Sequence, residues 1–466
     1  MADTKSYFFC GIGGSGMLPL ACIVRAQGAE VAGSDRSLDQ GRIGGKFAFL
    51  ERQGIALFPQ DGSGLTDRSQ ILVASAAVEE TVPDVQAASR LGLDRITRAE
   101  LLAHLFNAAP LSIGIAGTSG KSTVTGMIAW ILHSAGRDPT VMNGAVMKNF
   151  VTPDAPFASA LAGRGGVFVS EVDESDGSIA LYRPVIAVLN NVSLDHKSLD
   201  ELRNLFRDFA LKAAKIVVNL DDEETRALAA ELPADRLVTF SFVDRAARLA
   251  SPGIEEEAGA THFDVTDRAT GETHRATVNL WGAHNARNGL AALAAAVAAG
   301  VPLAEAVAAL AGFEGLRRRF ELVGERKGVA VIDDFGHNPD KIAATLRAAR
   351  NALEGRLLIF FQPHGFGPLK LMKEPLIATF AEGMEAEDVL ILSDPAYYGG
   401  TVDRKVGSGD IVAGVRAAGR QAEHIPDRAE SGRRLAELAR PGDRILIMGA
   451  RDDTLSRFAE EVLEAL

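Results

Sequence analysis

The alternation of apolar and polar positions restarts three times along the chain. Residues 7–13, YFFCGIG, form a short apolar run that enters a glycine turn; MLPLACIVRAQG then carries apolar positions at helical spacing, and AEVAGSD resumes a strand. That order predicts a βαβ unit. Strand-like runs recur at 71–77 (ILVASAA) and 95–97 (RIT), and the helical AELLAHLF closes the region near residue 107. From LSIGIAG the order begins again. In the helix STVTGMIAWILHSAG, residues Val124, Met127, Ile128, Ile131 and Leu132 share one face, which predicts burial of that face. The runs GVFVSEVDE, VIAVLNN and KIVVNLDD read as buried strands of a parallel sheet. THFDVTDRATGETHRATVNLWG reads as a β insert before the Ala-rich helices HNARNGLAALAAAVAAG and PLAEAVAALAGF. The third restart, GVAVIDDFGHNPDKIAATLRAAR, leads through RLLIFFQPHG, DVLILSDPAYYGG and DRILIMGARDDTLSRFAEEVLEAL, and predicts another mostly parallel sheet. The expectation is an α/β chain of three domains, over 1–107, 108–316 and 317–466.

Composition narrows the class. The 466 residues, 47% hydrophobic and 24% charged, suit a soluble globular protein with little disorder. A net charge of −12 argues against a protein that coats nucleic acid. Two cysteines, Cys10 and Cys22, indicate neither a disulfide framework nor a thiolate metal site, and point to a reduced, cytoplasmic setting. MADTKSYFF has no long apolar stretch behind a basic patch, and no apolar run of about 18 residues occurs, so neither export nor membrane insertion is expected.

Two glycine loops carry the chemistry. Gly11, Gly13 and Gly16 fit G-x-G-x-x-G between a strand and a helix, and Asp35 stands at the end of the next strand. Such a loop lets the backbone approach a diphosphate at a helix N-terminus while the carboxylate meets a ribose hydroxyl. A dinucleotide, another nucleotide diphosphate such as a UDP-sugar, and a merely tight structural turn all satisfy this pattern. The second loop, GIAGTSGKST over 114–123, departs from the strict P-loop because Ile115 stands six residues before Lys121. Its tail Gly120-Lys121-Ser122 is intact: backbone amides to cradle phosphate, an ammonium for the transferring end and a hydroxyl for Mg²⁺. Two further strand ends carry hard ligands, with Glu171, Asp173, Glu174 and Asp176 in SEVDESD and Asp195-His196 in NNVSLDH. Ligands collect at the carboxyl ends of parallel strands, so Glu171 and His196 are candidates for a site built around a Mg-nucleotide, whereas Asp173 and Asp176 also fit a solvated acidic loop.

The order of these motifs resembles the Mur ligase family, most closely its alanine-adding group. The matching segments are GIGGSGM with GSD at 33–35, GTSGKST at 117–123, EVDESD at 171–176, DH at 195–196, AHNARN at 283–288, RRRFE at 317–321, DDFGHNP at 333–339 and QPH at 362–364. The resemblance implies a Rossmann-like N-terminal domain for a UDP-sugar, a central P-loop-type ATPase domain and a Rossmann-like C-terminal domain for the incoming amino acid. It implies an ATP-dependent ligase that activates the carboxylate of UDP-N-acetylmuramate as an acyl phosphate and joins it to L-alanine. By position, Gly117, Thr118, Gly120, Lys121, Ser122, Thr123, Asn285, Arg319 and Asp334 would bind ATP, and Ser122, Glu171 and His196 would bind Mg²⁺. Lys121, His196, Arg319, Asp334 and His337 would be catalytic. Gly11, Gly13, Gly14, Ser15, Gly16, Asp35, Ser75 and His364 would meet the substrates.

The sequence also departs from the family. Ser119 and Ser122 replace the histidine and threonine of GTHGKT, and after QPH the segment GFGPLKLMK puts Gly365, Phe366 and Pro368 where an Arg-Tyr pair and another Arg are usual. FPQD at 58–61 replaces a Gly-His-containing turn. These changes leave the amine open, with Lys370 and Lys373 as substitutes for the missing cations. A recycling ligase that attaches a peptide, and a paralogue with another amine or acid, stand as alternatives; an NAD-dependent dehydrogenase and a ligase-derived binding protein are the rivals of other classes. The motifs imply small-molecule partners, and whether the chain is a monomer or a dimer is not written in them.

Overall fold

In a computed structural model that describes residues 5–42, 44–75, 78–193, 198–257, 259–396, 404–450, 452 and 454–466, the chain falls into two compact units. One is Met1–Glu256 with Ala260–Gly315, and the other is Leu316–Leu466 with Glu257–Gly259.

The first unit opens on a parallel five-stranded sheet of β1 (Ser6–Cys10), β2 (Glu30–Ser34), β3 (Ala56–Phe58), β4 (Gln70–Ala74) and β5 (Arg95–Thr97), ordered β3-β2-β1-β4-β5. The order reverses beside β1, so the crevice for a ligand opens at the glycine turn that follows it. Successive side chains on β1 serve opposite faces: Phe8 belongs to the core cluster that holds Leu72 and Val85, and Phe9 to the one that holds Leu18, Ile23 and Leu101.

The second sheet of this unit contains β6 (Leu111–Ala116), β7 (Thr140–Met142), β8 (Ala160–Leu161), β9 (Val167–Glu171), β10 (Ile186–Leu189), β11 (Lys215–Asn219), β12 (Leu237–Ser241), β13 (Leu249–Ala250), β14 (Glu255–Glu257), β15 (Ala260–Asp267) and β16 (Glu272–Val278). Its order is β14-β15-β13-β12-β11-β10-β6-β9-β7-β8, with β16 on β15. From β13 to β7 the pairs are parallel, and the predicted β insert is the antiparallel hairpin β15-β16. The helix Lys121–Ser134 buries the expected face, Val124, Met127, Ile128, Ile131 and Leu132, and packs on the helix Ala283–Ala298, whose alanines permit close approach. The helix Arg98–Ala108 ties the two sheets together. Its Phe106 meets the rings of Phe168 at 5.7 Å and Tyr182 at 5.1 Å edge to face, and this shared core is why the two sheets form one unit.

The second unit is a six-stranded sheet of β17 (Glu321–Arg326), β18 (Val329–Asp334), β19 (Leu357–Gln362), β20 (Val389–Leu392), β21 (Gln421–His424) and β22 (Arg444–Gly449), in the order β17-β18-β22-β19-β20-β21. Only β17 runs antiparallel to its neighbour. Among the described residues, no helix is long and apolar enough to cross a membrane.

Candidate active site

The strand β6 delivers the chain into the loop Gly117–Gly120, and the helix Lys121–Ser134 begins directly after it. Gly117 has φ +149° and Gly120, the residue before the helix, φ +79°, where a side chain would be strained. A Cβ on Gly120 would also lie 2.5 Å from Asn288 Oδ1. The loop is stapled from outside. The Asn191 carbonyl accepts from the Thr118 amide at 3.1 Å, and Asn191 Oδ1 accepts from the Ser119 amide at 2.9 Å. Asn190 and Asn191 both donate to the Ser119 carbonyl, at 3.1 and 3.0 Å. With those two amides occupied, the phosphate-facing donors are the amides of the first helical turn, which have no partner within the helix. Ser119 therefore fills the place of the usual histidine as part of the staple.

At the end of β9, beside β6, Glu171 Oε2 accepts from the Ser122 hydroxyl at 2.7 Å. Lys121 Nζ donates to the Gly117 carbonyl at 2.6 Å and to both oxygens of Glu174, at 2.9 and 3.1 Å. Burial acts to raise the Asp173 carboxyl, but the Ser175 amide and hydroxyl, with the Lys121 and Arg98 charges, hold it below the usual range. Thr123 is buried. Asn285, also buried, donates to the Trp281 carbonyl at 2.8 Å; its Oδ1 accepts from Asn288, whose own Oδ1 accepts from Asn190. A line of amides thus runs from Asn285 to the loop. Asp195 and His196 lie outside the described residues.

In the N-terminal sheet, Gly11 takes φ +80° and the loop reaches the helix Met17–Ala26 through Gly14 and Ser15, both exposed, and Gly16. Asp35 caps the short turn that follows it by accepting from Ser37 N at 2.7 Å, and its other oxygen accepts from the Gly13 amide at 2.9 Å. The carboxylate expected to meet a ribose here braces the glycine loop itself. Arg98 is a residue the motifs did not flag. A Cβ on Gly16 would lie 3.0 Å from its Cδ, and its Nη2 stands 3.9 Å from Asp176 Oδ2, so one guanidinium lies against the diphosphate-type loop and the acidic loop after β9. Ser75, half-buried after β4, accepts from the Val78 amide through its carbonyl.

In the second unit the three arginines part company. Arg318 is buried, with φ +59°, and donates to the Gly449 and Asp452 carbonyls at 2.6 and 2.9 Å beside Asp333. Burial raises the Asp333 carboxyl to about 6, against the Arg318 charge. Arg319 lays its guanidinium 4.5 Å over the Phe335 ring. Asp334 accepts from the Phe320 amide, the Gly336 amide and the Thr345 hydroxyl, each at 2.8 Å. His337 donates from Nδ1 to the Phe335 carbonyl at 2.8 Å, and its ring meets His364 at 5.3 Å. Burial, then the Lys341 charge, pushes His337 down to about 3, so the imidazole is neutral near pH 7 and too weak a base to hold a proton there. Gly365, at φ +142°, starts the helix Phe366–Leu371. Lys370 is exposed, Lys373 stands 3.8 Å from Glu374, and the cation seated on Phe366 is Arg404, 5.5 Å from the ring centroid.

A lysine and a serine opening a helix at the end of a parallel strand, facing carboxylates from the next strand, define an enzyme that works on nucleoside triphosphate. Family models agree along the chain: the Mur ligase family catalytic domain over residues 6–109, the Mur ligase middle domain over 115–296 and the Mur ligase glutamate ligase domain over 318–451. The chain belongs to the Mur ligase family and is an ATP-dependent ligase. It is 36% identical to a UDP-N-acetylmuramate–L-alanine ligase of Cereibacter sphaeroides, over 97% of this chain and 95% of that one. The fold matches the crystal structure of a UDP-N-acetylmuramate-alanine ligase of Thermotoga maritima with TM-score 0.78 at 22% identity, covering 98% of each chain. It also matches a murein peptide ligase of Psychrobacter arcticus with TM-score 0.70 at 24% identity, covering 99% of this chain and 98% of that one.

Proposed function

We propose that this enzyme joins L-alanine to the carboxylate of UDP-N-acetylmuramate in the cytoplasm, forming ADP and phosphate, as a step of peptidoglycan precursor synthesis. The observation that carries the reading is the convergence of Lys121, Ser122 and Glu171 at adjoining parallel strand ends, in the same compact unit as the GIGGSG loop. The likeness to alanine-adding relatives along nearly the whole chain supports the choice of substrates.

A carboxylate resists attack by an amine because its leaving group would be oxide. Transfer of the γ-phosphoryl group to a carboxylate oxygen gives an acyl phosphate and ADP; the deprotonated amine then adds to the carbonyl carbon, and phosphate leaves as the amide forms. Lys121 and the amides of the first helical turn stabilise the charge on the phosphoryl oxygens. Asp334 holds the turn that presents Arg319. The neutral His337 orients a partner as a hydrogen-bond acceptor at Nε2 and is not the base that takes the ammonium proton. The GIGGSG loop and Arg98 receive the diphosphate, and Arg404 is the cation assigned to the amino acid carboxylate.

The donors also suit Mg²⁺. Ser122 Oγ and Glu171 Oε2 are hard oxygens 2.7 Å apart, and Asn143, which donates to the Ser122 carbonyl, has a buried Oδ1 without a hydrogen-bond partner among the described residues. Ser122 and Glu171 would hold the ion, with His196 as a further ligand, and its charge would neutralise the triphosphate.

The acyl phosphate is tested by labelling the UDP-N-acetylmuramate carboxylate with ¹⁸O. One labelled oxygen should leave in the phosphate released during turnover. Unlabelled phosphate, with amide formed, would exclude that intermediate.

A further inference from the structure

Within the phosphate-facing loop, every proton of one ammonium group is already matched. Lys121 Nζ has the Gly117 carbonyl and both Glu174 oxygens as acceptors, at 2.6, 2.9 and 3.1 Å. An ammonium has three protons to donate, so a lysine held in this way has none left for a phosphate oxygen. Glu174 is only 5% exposed, three residues past Glu171. The acidic loop after β9 therefore divides the Lys-Ser pair, with Glu171 on the hydroxyl and Glu174 on the ammonium. Asp173 also lies in the Lys121 field, but its carboxylate accepts from the Ser175 amide.

We propose that Glu174 is a positioning residue that sequesters Lys121 in the nucleotide-free enzyme, so that ATP binds only by taking Lys121 away from Glu174. This rests on the reading of residues 117–123 as the phosphate site. One anion replaces another on the same ammonium, and the displaced carboxylate is left in surroundings that admit little water, which is unfavourable for a charge. The affinity of the free enzyme for ATP is thereby set lower than the loop alone would give. Lys121 is committed to phosphate only when a full triphosphate outcompetes the carboxylate.

The test is calorimetric binding of a non-hydrolysable ATP analogue, with Mg²⁺ and without the acid or amine substrates, to the full chain and to the variants Glu174→Gln and Lys121→Ala. Glu174→Gln, which keeps the shape and loses the charge, is expected to bind the analogue about tenfold more tightly, about 1.4 kcal/mol. Lys121→Ala is expected to bind at least about tenfold more weakly. Unchanged or weaker binding by Glu174→Gln, with Lys121→Ala still weakened, overturns the role of Glu174 and leaves the loop assignment standing. Unchanged binding by Lys121→Ala overturns the loop assignment itself. Should Glu174→Gln fail to fold, Glu174→Asp keeps the charge but withdraws it by one methylene; it should also tighten binding, by a smaller factor, and no tightening overturns the proposal.

Discussion

Replacing Lys121 with alanine removes a cation from the phosphate site and a counter-ion from Glu174, and the two losses are separable. The side chains of Lys121 and Glu174 are 18% and 7% exposed. Breaking a fully buried ion pair on one side costs about 3–5 kcal/mol; the partial exposure of Lys121 lets water reach the orphaned carboxylate, so about 2 kcal/mol is expected here. On catalysis, loss of a fixed donor to the transferring phosphoryl group costs up to about 4 kcal/mol, a fall of about a thousandfold in turnover. Both tryptophans, Trp130 and Trp281, lie in the first unit, so urea unfolding followed by tryptophan fluorescence reports that unit alone. The variant Lys121→Met with Glu174→Gln should recover most of the lost stability, since a neutral pair replaces an unpaired charge, and should recover no turnover. Wild-type stability in Lys121→Ala would refute the pairing, and turnover within tenfold of wild type would refute the catalytic role.

Three other outcomes follow from the same contacts. Arg98→Ala should raise KM for the UDP-sugar about tenfold or more, with kcat changed far less, because a charge-assisted contact is worth about 1.5–3 kcal/mol; an unchanged KM in steady-state assays would remove Arg98 from the diphosphate site. Asp334→Ala should speed hydrogen exchange of the Phe320 and Gly336 amides while the six-stranded sheet stays protected, because both amides lose their acceptor beside a turn with Arg318 and Phe320 at positive φ; equal exchange would contradict this. His337 is depressed to about 3, so on acidification the unfolded chain binds a proton near pH 6.5 that the folded chain refuses, and stability falls between those values. The variant His337→Gln should lose that part of the slope of stability against pH in denaturant titrations of the second unit, and an unaltered slope would show that the imidazole titrates normally.

The sheets were legible because their strands are continuous apolar runs broken by glycine turns, and the two phosphate-type loops because glycine, lysine and serine at fixed spacing suit a strand-to-helix turn. What the sequence could not give were partners distant along it. Lys121 and Glu174 are 53 residues apart and Ser119 and Asn191 are 72 apart, and nothing in either segment names the other. Three arginines in a row do not say which of them turns inward, yet a left-handed turn at Arg318 sends that side chain into the core and leaves Arg319 on Phe335. Asp35 has the spacing of a ribose ligand, but the turn after β2 places its oxygens on the Gly13 and Ser37 amides. Asn288 was detectable in principle: it stands three residues after Asn285 in AHNARN, one helical turn on and on the same face.

The measurement that bears most directly on the function is phosphate release from Mg-ATP with UDP-N-acetylmuramate, across single amino acids, short peptides and an amine-free blank, with the product identified by mass. Release that depends on L-alanine, with a product heavier by one alanyl residue, is the predicted result. Release that depends on a peptide instead, or on no amine in the set, would contradict the assignment of L-alanine as the acceptor.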